Sequence, residues 1–177
     1  MTVESENDCE DFSEAVLAVL QSTSETNRAL GSLGKNATLA TAIYCIRQPG
    51  DRSYTFGGLV GRSGGTGGVS GYATTSAATL GTVLPGAQIH AETSILGALI
   101  DEGIVNSSAQ GFIRMTVDNP SDGLICDLCI GFFDAFRNRY TGIDLVATAD
   151  CNRYYNGAVK KDSGNGRRFF PGRTDCA

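Results

Sequence analysis

The sequence feature that most constrains the fold is a pair of short motifs at the starts of two predicted helices. The chain has one histidine, His90, which lies two residues before Glu92 at the beginning of an apolar-periodic segment. The pair Cys126 and Cys129 begins a second such segment. On a helix, C-x-x-C spacing places two sulfurs about one turn apart, so both can point to one ion. The sequence therefore predicts that these two helix starts meet around a metal ion.

Histidine and two cysteines are a typical ligand set of catalytic zinc. Three protein ligands leave the fourth tetrahedral position for water, whereas structural zinc sites are closed by four. The positive ends of two helix dipoles favour thiolates at such a place. Glu92 is too close to His90 in sequence to bind the same ion easily, but its carboxylate can reach the water and move its proton. The predicted cofactor is Zn²⁺, bound by His90, Cys126 and Cys129, with Glu92 as the catalytic proton carrier.

Two other interpretations of the cysteine pair stay open at this point. A thioredoxin-like redox site also uses C-x-x-C, but it needs no H-x-E motif upstream. A closed structural zinc site would need a fourth ligand, either a cysteine such as Cys151 or a carboxylate. The spacing of Cys9, Cys45, Cys151 and Cys176 is uneven, and the sequence does not decide whether they form disulfides.

The order of predicted elements indicates an α/β fold. We expect a helix over about 12–21 and helices after each of the two motifs. Four segments have the composition of strands, the first two joined through the turn at Pro49-Gly50: TLATAIYCIRQ, DRSYTFGGLVG, GFIRMTVDN and GIDLVATA. A strand, strand, helix, strand, helix, strand order implies a mixed sheet covered by helices. The Gly-rich segment 61–81 is predicted to be a long flexible loop. A length of 177 residues fits one domain, 1–177.

The two ends of the chain differ from its body. Residues 1–14 contain six acidic residues and no Lys or Arg, which predicts a flexible acidic leader and does not fit a secretory signal. No apolar run approaches the roughly 20 residues that a membrane span needs. Residues 152–177 are basic and aromatic, which is typical of a nucleic-acid surface, although a solvated face or a charged edge strand would look similar. The residues expected to contact substrate there are Tyr154, Lys160, Lys161, Arg167 and Arg168.

The motifs His90-Ala91-Glu92 and Cys126-x-x-Cys129, in this order of strands and helices, resemble the cytidine deaminase superfamily. The resemblance covers about residues 38–150. One position departs from the superfamily pattern, because Ile125 stands where a proline usually precedes the first cysteine, and Pro120 lies upstream instead. In this form the chain is similar to the deaminase toxin domains of bacterial polymorphic toxin systems, especially the group that includes double-stranded-DNA cytosine deaminases.

The resemblance implies a three-layer α/β/α fold with a mixed sheet of about five strands. It also implies hydrolysis of cytosine to uracil in single- or double-stranded DNA, with the Ala91 amide touching the pyrimidine carbonyl. The expected partners are DNA and an immunity protein, and the expected place of action is the cytoplasm of a target cell, after secretion as part of a larger toxin.

Two alternatives remain beside this interpretation. One is an adenine deaminase acting on RNA or nucleotides, since H-A-E also occurs in the tRNA-editing branch, although that branch usually keeps the proline. The other is a non-catalytic zinc module that binds nucleic acid or an immunity partner.

Overall fold

The computed structural model describes residues 1–29, 37–63, 79–81 and 90–161. In chain order the elements are β1 (Thr2–Val3), α1 (Glu6–Ala29), β2 (Leu39–Arg47), β3 (Tyr54–Arg62), α2 (Ala91–Asp101), β4 (Gln110–Asp118), α3 (Asp127–Arg139), β5 (Ile143–Ala149), β6 (Asn152–Tyr155) and β7 (Ala158–Lys161). The four predicted strands correspond to β2, β3, β4 and β5, and the two motif helices to α2 and α3. Most of the predicted Gly-rich loop, as well as Arg167 and Arg168, lies outside the described residues.

The strands form one mixed sheet in the order β1-β3-β2-β4-β5-β6-β7. Only β4 and β5 pair in parallel among the described strands, and α3 is the crossover between them. The α/β class predicted from the sequence is therefore confirmed. The expected number of about five strands is wrong, because the described residues form a sheet of seven. The additional strands β1 and β6–β7 lie in the two terminal segments that the sequence suggested were leader and basic tail.

Alternate residues of the central strand β2 enter two separate hydrophobic clusters. Ala40, Ala42 and Ile46 pack with the apolar side chains of α2 and α3, whereas Ile43 and Cys45 pack with α1. Since successive side chains of a strand point to opposite faces of the sheet, α1 lies on one face and the two motif helices lie on the other. The aromatic residues of α3, Phe132, Phe133 and Phe136, are fully buried in the first cluster.

The acidic start of the chain is part of the fold, so the prediction of a flexible leader over 1–14 is wrong. β1 pairs with β3, and α1 begins within the acidic stretch rather than at residue 12. The backbone amide of Asp8 donates a hydrogen bond to the Ser5 hydroxyl, and the Ser5 amide donates one to the Asp8 carboxylate. This reciprocal pair is a capping box. Acidic side chains in the first turn also suit the positive end of the helix dipole. A disulfide between Cys9 and Cys45 then joins α1 to β2.

β6 and β7 form a hairpin at one edge of the sheet, within the basic segment 152–177 for which a charged edge strand is one of the alternatives. Its two turn residues, Asn156 and Gly157, have positive φ angles of 46° and 77°. Asn-Gly is the preferred pair for a two-residue turn of this kind, because both positions need φ above zero. None of the helices in the described part of the chain is long and apolar enough to cross a membrane.

Candidate metal centre

The two motifs lie at one end of the sheet, where the parallel strands β4 and β5 have their carboxyl ends. His90 is the N-cap residue of α2, and Cys126 is the N-cap residue of α3. In open α/β sheets, ligands bind at the carboxyl ends of parallel strands, so this is the expected place for a site. N-cap positions usually hold Ser, Thr, Asp or Asn, whose side chains bond the helix amides. Neither His90 nor Cys126 makes such a cap, and both side chains are directed to each other instead.

Backbone and hydroxyl bonds fix the first turn of each motif helix. The amide and the hydroxyl of Ser94 both donate to the His90 carbonyl, at 3.1 and 2.8 Å. In α3 the amide of Ile130 donates to the Cys126 carbonyl at 3.0 Å. These bonds hold the two ligand-bearing residues at the helix ends without using their side chains, which stay available for a metal.

The three predicted ligands come together as the sequence suggested. The candidate ligand atoms of His90, Cys126 and Cys129 all lie within 4.8 Å of one another, and Cys126 Sγ is 3.3 Å from His90 Nδ1. A tetrahedral zinc with bonds of about 2.0–2.3 Å would hold such atoms roughly 3.3–3.8 Å apart. The donor set and its spacing therefore fit a zinc ion.

The orientation of the imidazole identifies the nitrogen that would bind this ion. Nδ1 of His90 faces the sulfurs, whereas Nε2 is buried and has no hydrogen-bond partner among the described residues. Of the two ring nitrogens, Nδ1 is therefore the one placed to bind a metal ion at this cluster.

The two sulfurs differ in their affinity for protons. The pKa of Cys126 is lowered to about 4, chiefly by a hydrogen bond from the Cys129 thiol and further by a hydrogen bond with His90. The same bond to Cys126 and burial raise the pKa of Cys129 well above its ordinary value. The two shifts run in opposite directions, so Cys126 is the sulfur that ionises more readily for a metal.

Glu92 lies directly beside this cluster. Its side chain is 3% exposed. Burial raises the pKa of this carboxyl, and the negative charge on Cys126 adds to the effect, while its own backbone amide, His90 and the Cys129 thiol act in the opposite direction. A buried carboxyl is costly, and such groups are common at functional sites.

A glycine that the sequence analysis did not single out brings α2 close to the sheet. A Cβ atom on Gly61, near the end of β3, would lie 2.2 Å from the Ala91 carbonyl oxygen. Only glycine permits this contact, because the obstacle is backbone that cannot rotate away. Gly61 therefore sets the position of the first turn of α2. The role of the Ala91 amide at a pyrimidine carbonyl stays a prediction.

The structural-zinc interpretation loses its named fourth ligand. Cys151 is disulfide-bonded, so its sulfur is not available to a metal. Within the described ranges, the metal-binding group consists of His90, Cys126 and Cys129 alone. The arrangement therefore matches the three-ligand pattern of catalytic zinc sites better than a closed site.

The predicted substrate contacts have different outcomes. Tyr154 is wrong as a surface contact, because the side chain is fully buried, its ring packs 5.1 Å from Phe133, and its hydroxyl donates to Asp134 at 2.9 Å. Lys160 is exposed on β7, and its neighbour Lys161 pairs in register with Asn152, at the end of the sheet that bears the metal centre. Contacts of Lys160, Lys161, Arg167 and Arg168 with substrate stay predictions.

The chain matches no protein family model, no curated protein and no solved structure. The chemistry of the site itself therefore carries the functional conclusion.

Proposed function

We propose that the chain is a zinc-dependent hydrolytic deaminase that converts cytosine to uracil in DNA. The observation that supports this most strongly is the convergence of His90, Cys126 and Cys129 within 4.8 Å, with the buried Glu92 in the first turn of the helix that His90 caps. The proposed fold type is the three-layer cytidine-deaminase-like one. It is supported by helices on both faces of a mixed sheet and by ligands at two helix starts beside parallel strands.

The metal would be held by Nδ1 of His90 and the sulfurs of Cys126 and Cys129. Bound there, Zn²⁺ supplies a Lewis acid that makes water nucleophilic near neutral pH. The chain contributes two helix N-termini, whose dipoles stabilise negative charge on the sulfurs. It also buries Glu92 and Cys129, and electrostatic interactions at buried groups are stronger than in bulk water.

Glu92 carries the protons in the proposed reaction. Its carboxylate accepts a proton from the attacking water while the water oxygen forms a bond to C4 of cytosine. Glu92 delivers this proton to N3, then takes the remaining proton from the new hydroxyl on C4 and passes it to the exocyclic amine. The C4–N4 bond breaks, the C4 carbonyl forms, and ammonia leaves. One cytosine and one water thus give one uracil and one ammonia. The near-complete burial of Glu92 restricts the positions that its carboxyl can take, which favours this role.

A polymeric substrate is supported by charge and exposure on the β6–β7 hairpin. Lys160 and Tyr155 are exposed there, and Lys160 pairs in register with Arg153. Cations for phosphates and a ring for an unstacked base are the components of single-strand recognition. Tyr155 thus replaces the buried Tyr154 as the candidate aromatic contact of this hairpin.

The proposed setting is a bacterial toxin that acts in the cytoplasm of a target cell and is held inactive by an immunity protein. The Cys9–Cys45 disulfide supports passage through an oxidising compartment, because such bonds are rare in proteins that stay in reducing cytosol. This part of the proposal is separable from the chemistry, since the disulfide joins α1 to β2 in the hydrophobic cluster away from the metal centre.

The test is incubation of the zinc-loaded protein with single- and double-stranded oligonucleotides that contain C or A, read by sequencing. We expect C to be converted to U, and conversion of A instead would favour the adenine deaminase. The control is Glu92→Gln, which keeps the shape of the side chain but removes the proton carrier. This variant should bind one zinc per chain and deaminate about 10²- to 10⁴-fold more slowly. A wild-type protein that binds zinc and converts no base would overturn the proposed function.

A further inference from the structure

The segment that leads into Cys126 is held by a side chain from a distant strand. Asn152, the first residue of β6, is 7% exposed and contacts the backbone of Ile125 twice. The Ile125 amide donates to Asn152 Oδ1 at 2.9 Å, and Asn152 Nδ2 donates to the Ile125 carbonyl at 3.2 Å. The carboxamide therefore satisfies both backbone groups of the residue immediately before the first cysteine.

Other bonds keep the preceding loop in the same place. The Cys151 amide donates to the Gly123 carbonyl at 2.9 Å, which ties the β5–β6 junction to this loop a second time. Asn119 Nδ2 donates to the Leu124 carbonyl at 2.9 Å. The loop is thus braced up to the residue before Cys126. Ile125 itself lies outside any helix or strand and depends on Asn152 for both of its backbone groups.

We infer that Asn152 is a positioning residue for the metal centre, acting through Ile125 on Cys126. The inference rests on the proposed zinc site. Cys126 has extended backbone angles, φ −73° and ψ 158°, and its side chain makes no cap, so the path of the chain before it determines where Sγ points. Sγ must stay near its position 3.3 Å from His90 Nδ1 to share an ion with it. Groups behind metal ligands typically change metal affinity by about 10- to 100-fold when they are removed.

The same contact gives a physical reason for the residue type at position 125. Proline has no backbone N–H, so a proline at this position could not donate to Asn152 Oδ1. The hydrogen bond to Asn152 therefore requires a residue other than proline at position 125. Proline at 125 is expected to leave Oδ1 of Asn152 buried without its donor, which is unfavourable.

The first measurement needs no variant. Amide hydrogen exchange of the metal-free wild-type protein should show protection at Ile125, although this residue is in neither a helix nor a strand. The second measurement is zinc affinity of Asn152→Asp, which keeps the shape but loses the donor. We expect zinc binding to weaken by about 10- to 100-fold, with faster exchange at Ile125. The matched control is Asn156→Asp in the exposed hairpin turn, where Asp also tolerates positive φ. This control should bind zinc as tightly as wild type.

An unprotected Ile125 amide in the wild-type protein would overturn the inference. So would an Asn152→Asp protein that is folded by circular dichroism and binds zinc within twofold of wild type. Neither readout uses deamination. A protein that binds zinc and deaminates nothing would therefore overturn the proposed function and leave the positioning role of Asn152 intact.

Discussion

Sγ of Cys126 lies 3.3 Å from Nδ1 of His90, although 36 residues separate them in the chain. The strand β4 and the loop that follows it bring the start of α3 back to the start of α2. Two helix N-termini thereby meet beside one carboxyl, that of Glu92. This is the arrangement from which both the metal and the proposed chemistry are inferred.

Substitution of Gly61 by alanine should disturb the metal centre from the sheet side. The added Cβ would meet the Ala91 carbonyl oxygen at 2.2 Å, so the first turn of α2 must move. We expect the free energy of unfolding to fall by about 1–3 kcal/mol, as for other overpacked sites, and zinc affinity to fall with it. Urea denaturation and zinc titration check this.

Gly131→Ala is the matched control for Gly61→Ala. An added Cβ at Gly131, within α3, meets no atom within 4 Å. Alanine is favoured over glycine in a helix interior by about 0.8–1.0 kcal/mol. The control should therefore be as stable as wild type or slightly more stable. Equal effects of the two substitutions would contradict the role given to Gly61.

The Cys9–Cys45 disulfide should stabilise the fold without influencing the metal centre. Its closed loop has a sequence separation of 36 residues. Loss of the bond in a Cys9→Ala/Cys45→Ala protein is expected to lower the free energy of unfolding by about 3–4 kcal/mol. Zinc affinity should not change, because both cysteines belong to the hydrophobic cluster on the α1 face. A large loss of zinc binding in a folded variant would show that the two faces are coupled.

Tyr154 should make stability fall at high pH. Burial, and then the bond to Asp134, raise the pKa of its phenol to about 12 from a model-compound value of 10.0. The folded state thus favours the protonated phenol. This contribution is complete below pH 10 and is lost as the pH rises through about 12, because the unfolded chain releases the proton first.

The difference in unfolding free energy between wild type and Tyr154→Phe isolates this effect from the other tyrosines. Loss of the Asp134 bond should make the variant about 1 kcal/mol less stable at pH 8. The difference should move in favour of Tyr154→Phe as the pH rises from 10 to 12. A constant difference across this range, measured by denaturation, would contradict the assignment.

Reversal of the charge at Lys160 tests the proposed contact with nucleic acid. Lys160→Glu should weaken binding of a single-stranded oligonucleotide and lower the slope of log K against log salt by about one. Arg52→Glu is the matched control, because Arg52 is exposed in the β2–β3 turn at the opposite end of the sheet. Equal losses of binding in the two variants would indicate a general effect of net charge. Lys160 would then not be a specific contact for nucleic acid.

The central strands, the two motif helices and the candidate metal-binding residues can be predicted from the sequence, because the patterns that indicate them lie within short segments. Helical periodicity follows His90 and Cys126 directly, and the spacing of Cys126 and Cys129 depends only on helix geometry. The charge of residues 1–14 was misleading, because acidic residues at the start of α1 are compatible with a packed helix. The partner of Cys9 could not be deduced, since spacing does not determine disulfide pairing.

The residues that sequence reasoning missed act over long distances. Gly61 matters only because the Ala91 carbonyl lies against it, and Asn152 only because Ile125 does. The sequence predicts a surface ring at Tyr154, because the pair Tyr154-Tyr155 lies among basic residues. The alternation of β6 buries the first ring and exposes the second. Asn156-Gly157 was the signal that could have indicated this hairpin.

X-ray absorption at the zinc edge of the purified protein tests the central claim most directly. We expect one zinc per chain, with two sulfurs at about 2.3 Å, one imidazole nitrogen at about 2.0–2.1 Å and one further light atom. His90→Ala and Cys126→Ala should each lose this signature. Absence of zinc after loading, or a shell closed by four protein ligands, would contradict the account.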